Sequence, residues 1–477
     1  MPAMSSRASR RAALVVFLFV WTLTTHGKYS ASGDEPHYLM IAHSLVTDGD
    51  LDVANNYAAN DGRFFGHENL EMGLHAVPAR SGRIRPIHHV GLAVAIAPVY
   101  VVAQRLATLP SESLLARARM TRGLFAYSII GIVLIALTSV GIMMLAEGLR
   151  SLTSPASAAL LAAAAGISPP IASHAFLVFP EVLALFTTCL VVWLALDPDD
   201  SRDTPKLMGT LLAIGLLPWT HQKYLLYTPG LLFVLLWMRR PLIARLQPRA
   251  RIVAGLLFVL PQAGMLLWIL NEWGTLGGAL TTGGLPFSWE MFRTGVHGLL
   301  LDRQSGLLAY APFYWMAPAA FVLARRRVWP FLVPALLLYL PAAAFTIGWW
   351  AGFSPAARYI APLVPFAVAA IAAAWQHRPV RIGTAVLLAA QLAIDLTVWQ
   401  RPRGLWPPPD GSSDNAALDA LGIVGRAYEA LLPAAHAAGD YGRAAIILVV
   451  AAIATTVLVR ISTADAPEPR ERVSRVS

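Results

Sequence analysis

Apolar stretches of helical length recur along almost the whole chain, the first at about 12–25 and the last at about 442–460, and this repetition constrains the fold more than any motif does. There are about twelve of them, several shorter than the ~20 residues that a bilayer core demands. Only 13% of the 477 residues are charged and 56% are hydrophobic; an ordinary soluble domain carries about 25% charged residues. The pattern specifies an all-α, polytopic membrane protein with about 12 transmembrane helices. The net charge of +10 rests almost wholly on arginine, because Lys28, Lys206 and Lys223 are the only lysines. The arginines sit between apolar spans, where they set topology and meet lipid headgroups, so nucleic acid is not a partner and the lipid bilayer is. The single cysteine, Cys189, lies inside an apolar span and excludes both an intrachain disulfide framework and a cysteine metal cluster.

Topology follows from the arginine clusters. Arg239, Arg240, Arg245, Arg249 and Arg251 form one, Arg325 to Arg327 another, and Arg378 with Arg381 a third. Placing all three in the cytoplasm, with both termini, makes the first run an uncleaved helix behind Arg7, Arg10 and Arg11. It also makes residues 26–121 one large extracytoplasmic loop. The apolar segment 90–103 is short, carries Pro98, and is kept out of the count as an interfacial helix. Nearly every unusual polar residue then falls on one face, and the active site faces the extracytoplasmic side of the cell (inner) membrane. The tail 462–477 is polar, rich in Pro, Glu and Arg, and reads as disordered.

The strongest chemical signal is the segment 33–38, Gly-Asp-Glu-Pro-His-Tyr, just beyond the first span. Asp34 and Glu35 could simply cap a helix ahead of Pro36. A paired carboxylate at a membrane boundary is nevertheless a functional candidate, able to take a proton from a hydroxyl or amine nucleophile, with His37 and Tyr38 beside it. Arg119 and Arg122 precede the next span, either snorkelling at the interface or clamping a lipid phosphate. Glu181 opens a span after Pro180, on the same face as Asp34. His221 and Lys223 interrupt an apolar stretch, where a cation could neutralise a phosphate leaving group. Asp302 and Arg303 precede a span that they could cap or serve. Trp349 and Trp350 stand before Arg358 and Tyr359, as interfacial anchors or as a sugar- or prenyl-stacking surface beside an arginine for phosphate.

The acid pair after the first helix, the long first loop, the turn containing His88 and His89, and the arginine opening the second span resemble the GT-C superfamily of integral membrane glycosyltransferases. The protein O-mannosyltransferases and lipid A aminoarabinose transferases belong to it. His88-His89-Val90-Gly91 departs from that family's usual His/Lys-Pro-Pro turn. The resemblance implies a polyprenyl-phosphate-linked sugar donor, a glycan, lipid or protein acceptor, Asp34 as general base, and Glu35 holding the site together. It also implies an N-terminal catalytic module, 1–271, and a C-terminal transmembrane module, 272–461.

No standard metal or nucleotide motif is present. His37, His43, His88 and His89 could join a carboxylate around a divalent ion, but their spacing matches no metal motif, so the sequence assigns none and names no certain cofactor. A transporter or flippase for a lipid-linked or anionic solute remains the alternative, and a non-enzymatic scaffold a third; the first should show internal repeats and mid-membrane charges.

Overall fold

The computed structural model describes residues 6–27, 31–197, 203–278, 287–345, 348–352, 354–406 and 415–464. Residues 465–477, most of the segment read above as a disordered tail, lie outside them. Among the described residues the chain is helical apart from one two-stranded hairpin. Its longer helices are α1 (Arg7–Gly27), α2 (Glu35–Thr47), α3 (Val90–Leu106), α4 (Arg122–Leu149), α5 (Pro155–Ile167), α6 (Pro180–Leu196), α7 (Asp203–Thr220), α8 (Tyr224–Met238), α9 (Pro248–Trp273), α10 (Trp289–Leu301), α11 (Leu332–Ala343), α12 (Val364–Ala373), α13 (Arg378–Gln400) and α14 (Tyr441–Ala464). The hairpin pairs β1 (Ala76–Pro78) with β2 (Ile84–Pro86), Ala76 opposite Pro86.

Local chemistry explains the ends that matter. The Thr121 hydroxyl accepts the Leu124 amide to open α4. Pro180 sits in the first turn of α6, where its missing N–H costs nothing. Helix α9 stops at Gly274, which turns left-handed at φ 76°.

Among the described residues, four helices are long and apolar enough to cross a membrane: α4, α9, α13 and α14. More than half of α4's apolar stretch is buried, 56%, against 6% of α14's, so α4 is central and α14 peripheral. The outward residues of the peripheral helices are apolar, among them Ile252, Val259 and Leu267 on α9 and Ile446, Val450 and Ile453 on α14. Such faces require lipid rather than water around them. The chain is a polytopic membrane protein.

The first loop packs on α4 and α6 through a core distinct from that of the rest of the chain. Leu39 and Ile41 of α2, Leu92 and Ile96 of α3, Tyr127 and Ile130 of α4, and Val182 of α6 pack together there. Helix α3 spans 17 residues and lies against α2, α4 and α7. Its approach to α7 depends on Gly91, where a Cβ would come within 2.5 Å of the Trp219 backbone. That contact sets the turn before α3 beside the turn after α7, and so brings the histidines of both to one cavity.

Candidate active site

Asp34 occupies the N-cap position of α2, yet its side chain makes no capping bond. The preceding Gly33 takes φ 58°, a left-handed conformation that glycine alone adopts without strain, and this turns the chain into α2. Instead of capping, Asp34 Oδ2 accepts a hydrogen bond from Arg358 Nη1 at 3.0 Å, joining positions 324 residues apart. Arg358 Nε donates to Glu181 Oε1 at 3.1 Å, and Lys223 Nζ donates to the same oxygen at 2.5 Å. Two carboxylates and two cations thus form one chain of charge, Asp34–Arg358–Glu181–Lys223. The Glu181 side chain is fully enclosed, and its Oε2 has no hydrogen-bond partner among the described residues. Aromatic rings support the cations: the Arg358 guanidinium carbon lies 3.8 Å from the Phe179 ring centre and Lys223 Nζ 4.3 Å from that of Tyr359.

The cluster borders a cavity of about 460 Å³, lined by Asp34, Tyr38, His75, His88, His89, His221, Arg358 and Tyr359. Asp34 is the charge most open to it, its side chain 31% exposed against 5% for Arg358. Burial by itself would raise the Asp34 pKa, but the Arg358 guanidinium, together with His88 and His75, outweighs it and holds the carboxyl well below the usual range. Glu35 has the opposite character. It is buried; Oε1 accepts from the Tyr127 hydroxyl and the Val178 amide, both at 2.8 Å, and Oε2 from the Ser32 amide at 3.2 Å. Burial pushes Glu35 up to about 7 against these hydrogen bonds. Glu35 ties the start of α2 to α4 and to the strand-like segment before α6.

His221 Nδ1 accepts the Lys223 amide at 3.1 Å, fixing the turn that presents the lysine, and its ring lies 5.8 Å from that of His89. Burial lowers His88 to about 4, so it is a neutral imidazole at physiological pH. His37 is buried, with Nδ1 2.6 Å from the Tyr57 hydroxyl and its ring stacked on His75 at 3.5 Å. His43, by contrast, is occupied by Tyr100 and Asp61, away from this cavity.

Other sequence candidates are placed elsewhere. Arg122 Nε donates to Glu112 at 2.7 Å and Nη1 to the Ala107 carbonyl, and Arg119 borders a separate cavity with Trp21 and Phe176. An arginine opening a span finds partners in the preceding short helix more easily than in a distant cavity. Asp302 is buried under backbone amides, those of Gln304, Ser305 and His436. The Arg303 amide donates to the Pro433 carbonyl. Trp349 is buried with its Nε1 donating to Thr294 Oγ1 at 3.0 Å, and Trp350 stacks on His436 at 3.8 Å. These four residues hold chain segments together. His75, absent from the sequence candidates, is brought to the site by the hairpin; its only sequence signal is the second histidine-containing turn, at His88.

No protein-family model matches the chain, and no curated protein matches it in sequence. Among solved structures, it is similar to ArnT from Cupriavidus metallidurans bound to undecaprenyl phosphate, at 15% identity and TM-score 0.45 over 94% of this chain and 72% of that one. It is also similar to the Archaeoglobus fulgidus oligosaccharyltransferase in the apo form, at 12% identity and TM-score 0.40 over 97% of this chain and 57% of that one. The same archaeal enzyme, AglB, in complex with an inhibitory peptide and a dolichol-phosphate gives 12% identity and TM-score 0.39. The chain spans a little over half the length of these oligosaccharyltransferases. Likeness at this level assigns no residue and no substrate, so the reading of the site rests on its own geometry.

Proposed function

We propose that the chain is a GT-C-type glycosyltransferase that moves a sugar from a polyprenyl-phosphate donor to a hydroxyl-bearing acceptor. The observation that carries this reading is the shared carboxylate: Glu181 Oε1 holds Lys223 beside Arg358, which lines a cavity whose most open charge is Asp34. A phosphate needs two adjacent cations, and a departing lipid phosphate gains several kcal/mol, on the order of 3, from such fixed partners. The acceptor needs a base, and Asp34 is the carboxylate within reach of the cavity.

The two needs are coupled through Arg358. Arg358 suppresses the basicity of Asp34. A donor phosphate drawing the guanidinium toward itself relieves that suppression, so Asp34 becomes a competent base only when the leaving group is in place. The acceptor oxygen then attacks the anomeric carbon, the bond from that carbon to the phosphate oxygen breaks, and the acceptor proton passes to Asp34. A single displacement inverts the anomeric centre. Lys223 and Arg358 keep the charge of the released lipid phosphate, and Glu35 and His221 are positioning residues.

The reading includes about twelve spans, cytoplasmic termini, modules 1–271 and 272–461, and an extracytoplasmic site in the cell (inner) membrane. The test of function is release of polyprenyl phosphate from a polyprenyl-phosphate sugar by purified protein, with the product anomer recorded. No release with any such donor ends the proposal. The test of topology is a Cys189→Ala background carrying single cysteines at exposed Ser113 or Arg326. An impermeant thiol reagent on intact cells should label the first and spare the second; the reverse pattern overturns the orientation.

A further inference from the structure

A second concentration of charge stands at the other end of the helices from Arg358. Arg358 and Tyr359 lie shortly before α12, whose 10 residues carry the chain about 15 Å to Ala373. Ala373 borders a cavity of about 440 Å³ together with Arg325, Arg326 and Arg327, from the short helix Arg325–Val328, and with Val459 and Thr463 of α14. All three arginines are exposed, and none makes an ion pair among the described residues. No acid lines the cavity. His377 closes its wall, and its Nδ1 donates to the Ser462 carbonyl at 3.2 Å, which ties the start of α13 to α14. An apolar groove of about 700 Å³ adjoins it, lined by Ala451, Ala454 and Leu458 of α14, by Met316 and Ala319, and by Leu387 of α13. Leu458 and Ala319 are followed within one turn by Val459 and Val322 of the cavity, so the two run on from one another. The groove follows α14 from Arg443 to Leu458, about 22 Å at 1.5 Å per residue, most of a hydrocarbon core ~30 Å thick. Its far end is closed in charge, since Arg443 Nε pairs with Asp440 Oδ2 at 3.3 Å and Nη1 donates to the Leu432 carbonyl at 3.2 Å.

We propose that this cavity and groove hold one phospholipid with an anionic headgroup, its phosphate on Arg325, Arg326 and Arg327 and one acyl tail along α14. A groove on a membrane-facing helix takes hydrocarbon, and arginines without acid partners at its mouth take phosphate, which a guanidinium can grip by two parallel bonds. The headgroup is of net negative charge, because a zwitterionic one brings an ammonium and no lining residue is an acid to receive it. The chain's own segment after Ala464 is a poor competitor, its three acids being balanced by three arginines. A site of this kind differs from the general attraction of interfacial arginines for headgroups: it holds one lipid, and it has a place for the tail. In the orientation proposed above the headgroup belongs to the cytoplasmic leaflet, the leaflet opposite the donor site.

The site requires only that the chain spans a membrane, and it uses no residue of the charge chain. The probe is phosphatidylglycerol, titrated into full-length, delipidated protein in a neutral detergent, with retained lipids counted by native mass spectrometry and phosphatidylcholine of the same acyl chains as the comparison. One phosphatidylglycerol should be retained, at least ~10-fold more tightly than phosphatidylcholine, since each arginine near an anionic headgroup is worth about a factor of five. The triple variant Arg325→Gln, Arg326→Gln, Arg327→Gln should abolish that preference. Ala454→Trp, an exposed position that fills the groove, should weaken both lipids alike. Arg249→Gln with Arg251→Gln, exposed arginines of α9 that line neither cavity, should leave the affinity unchanged. Circular dichroism and gel filtration verify that each variant is folded. Equal affinity for the two lipids overturns the site, as does an undiminished preference in the folded triple variant. An equal loss from the α9 arginines reduces the effect to general surface charge and overturns it as well. Unchanged binding in Ala454→Trp overturns the tail path, and tighter binding of polyprenyl phosphate than of phosphatidylglycerol would make this a donor position instead.

Discussion

Asp34 and Asp302 both flank helix ends, one before α2 and the other after α10, and both lie in a chain that has few acids. Their surroundings differ in a way that separates a site from a clamp. Asp302 is 1% exposed, and both its oxygens are taken by backbone: Oδ1 by the amides of Gln304 and Ser305, Oδ2 by that of His436. Around it Trp350 stacks on His436, and Asn415 Nδ2 donates to the Arg303 carbonyl. The result is an internal knot of fixed, neutral donors. Asp34 has one side-chain partner from the far end of the chain, itself charged, and faces a cavity. Backbone amides cannot leave when a ligand arrives; a guanidinium shared between two carboxylates can shift toward a third anion. An acid held by charge is exchangeable, and an acid held by amides is not.

The comparison is broken most sharply at Asp34. Asp34→Asn keeps the size and can still accept a hydrogen bond, but it cannot take a proton, and transfer should fall by about 10²–10⁴. Donor binding should persist, because Arg358 and Lys223 remain. Full turnover by this variant would remove the base from Asp34. Loss of donor binding with turnover per bound donor intact would favour a solute-recognition role instead.

Next in size is Lys223→Ala. It removes one charge-assisted phosphate contact worth about 1.5–3 kcal/mol, so the donor Kd should rise roughly 10- to 150-fold. Glu181 keeps Arg358 and stays partnered, which makes this variant safer than Arg358→Ala, where Asp34 loses its cation and Glu181 loses one of two. An unchanged donor Kd would take the lysine out of the phosphate site.

Asp302→Ala sharpens the comparison from the other side. Three backbone amides lose their acceptor inside the protein, a penalty on the order of 1–3 kcal/mol for buried unpaired groups. The expected readout is a lower Tm in detergent, with donor Kd within about threefold of the parent. A Kd change as large as that of Lys223→Ala would mean that Asp302 also serves the donor.

The same contrast explains what the sequence could and could not reveal. Asp34, Glu181, Lys223 and Arg358 stand out in it because a charge at the edge of an apolar span is costly without a partner, and the structure joins all four in one chain of ion pairs, of which Asp34 and Arg358 line the cavity. The same rule also marked Asp302, Arg119 and Arg122. Sequence does not tell whether backbone amides or a neighbouring short helix will occupy such a group. Helix existence followed from hydropathy, but three-residue strands have no readable alternation, and so the hairpin that carries His75 to Asp34 was invisible. Gly91 was in plain view beside His88 and His89, yet its purpose depends on the approach of Trp219 from a helix more than a hundred positions away.

The two regions meet at one bond, and the smallest effect is expected there. The Ser305 amide is held by Asp302, and the Ser305 carbonyl accepts the amide of Ala357, the residue before Arg358, at 2.9 Å. Ala357 takes φ 57°, left-handed for a residue with a Cβ, at a cost of about 1–2 kcal/mol. Ala357→Gly relieves that strain, but it adds unfolded-state entropy worth about 0.4–1 kcal/mol and deletes a buried methyl worth about 0.8 kcal/mol. These nearly cancel, so Tm should move by little. What should change is how firmly Arg358 is aimed, since glycine admits backbone conformations that alanine resists. A donor Kd raised two- to fivefold at nearly constant Tm is the result anticipated, about a tenth of the loss in Lys223→Ala. If Tm falls sharply instead, the alanine methyl is a packing element of the knot around Asp302, and the strained backbone does not serve to orient the arginine.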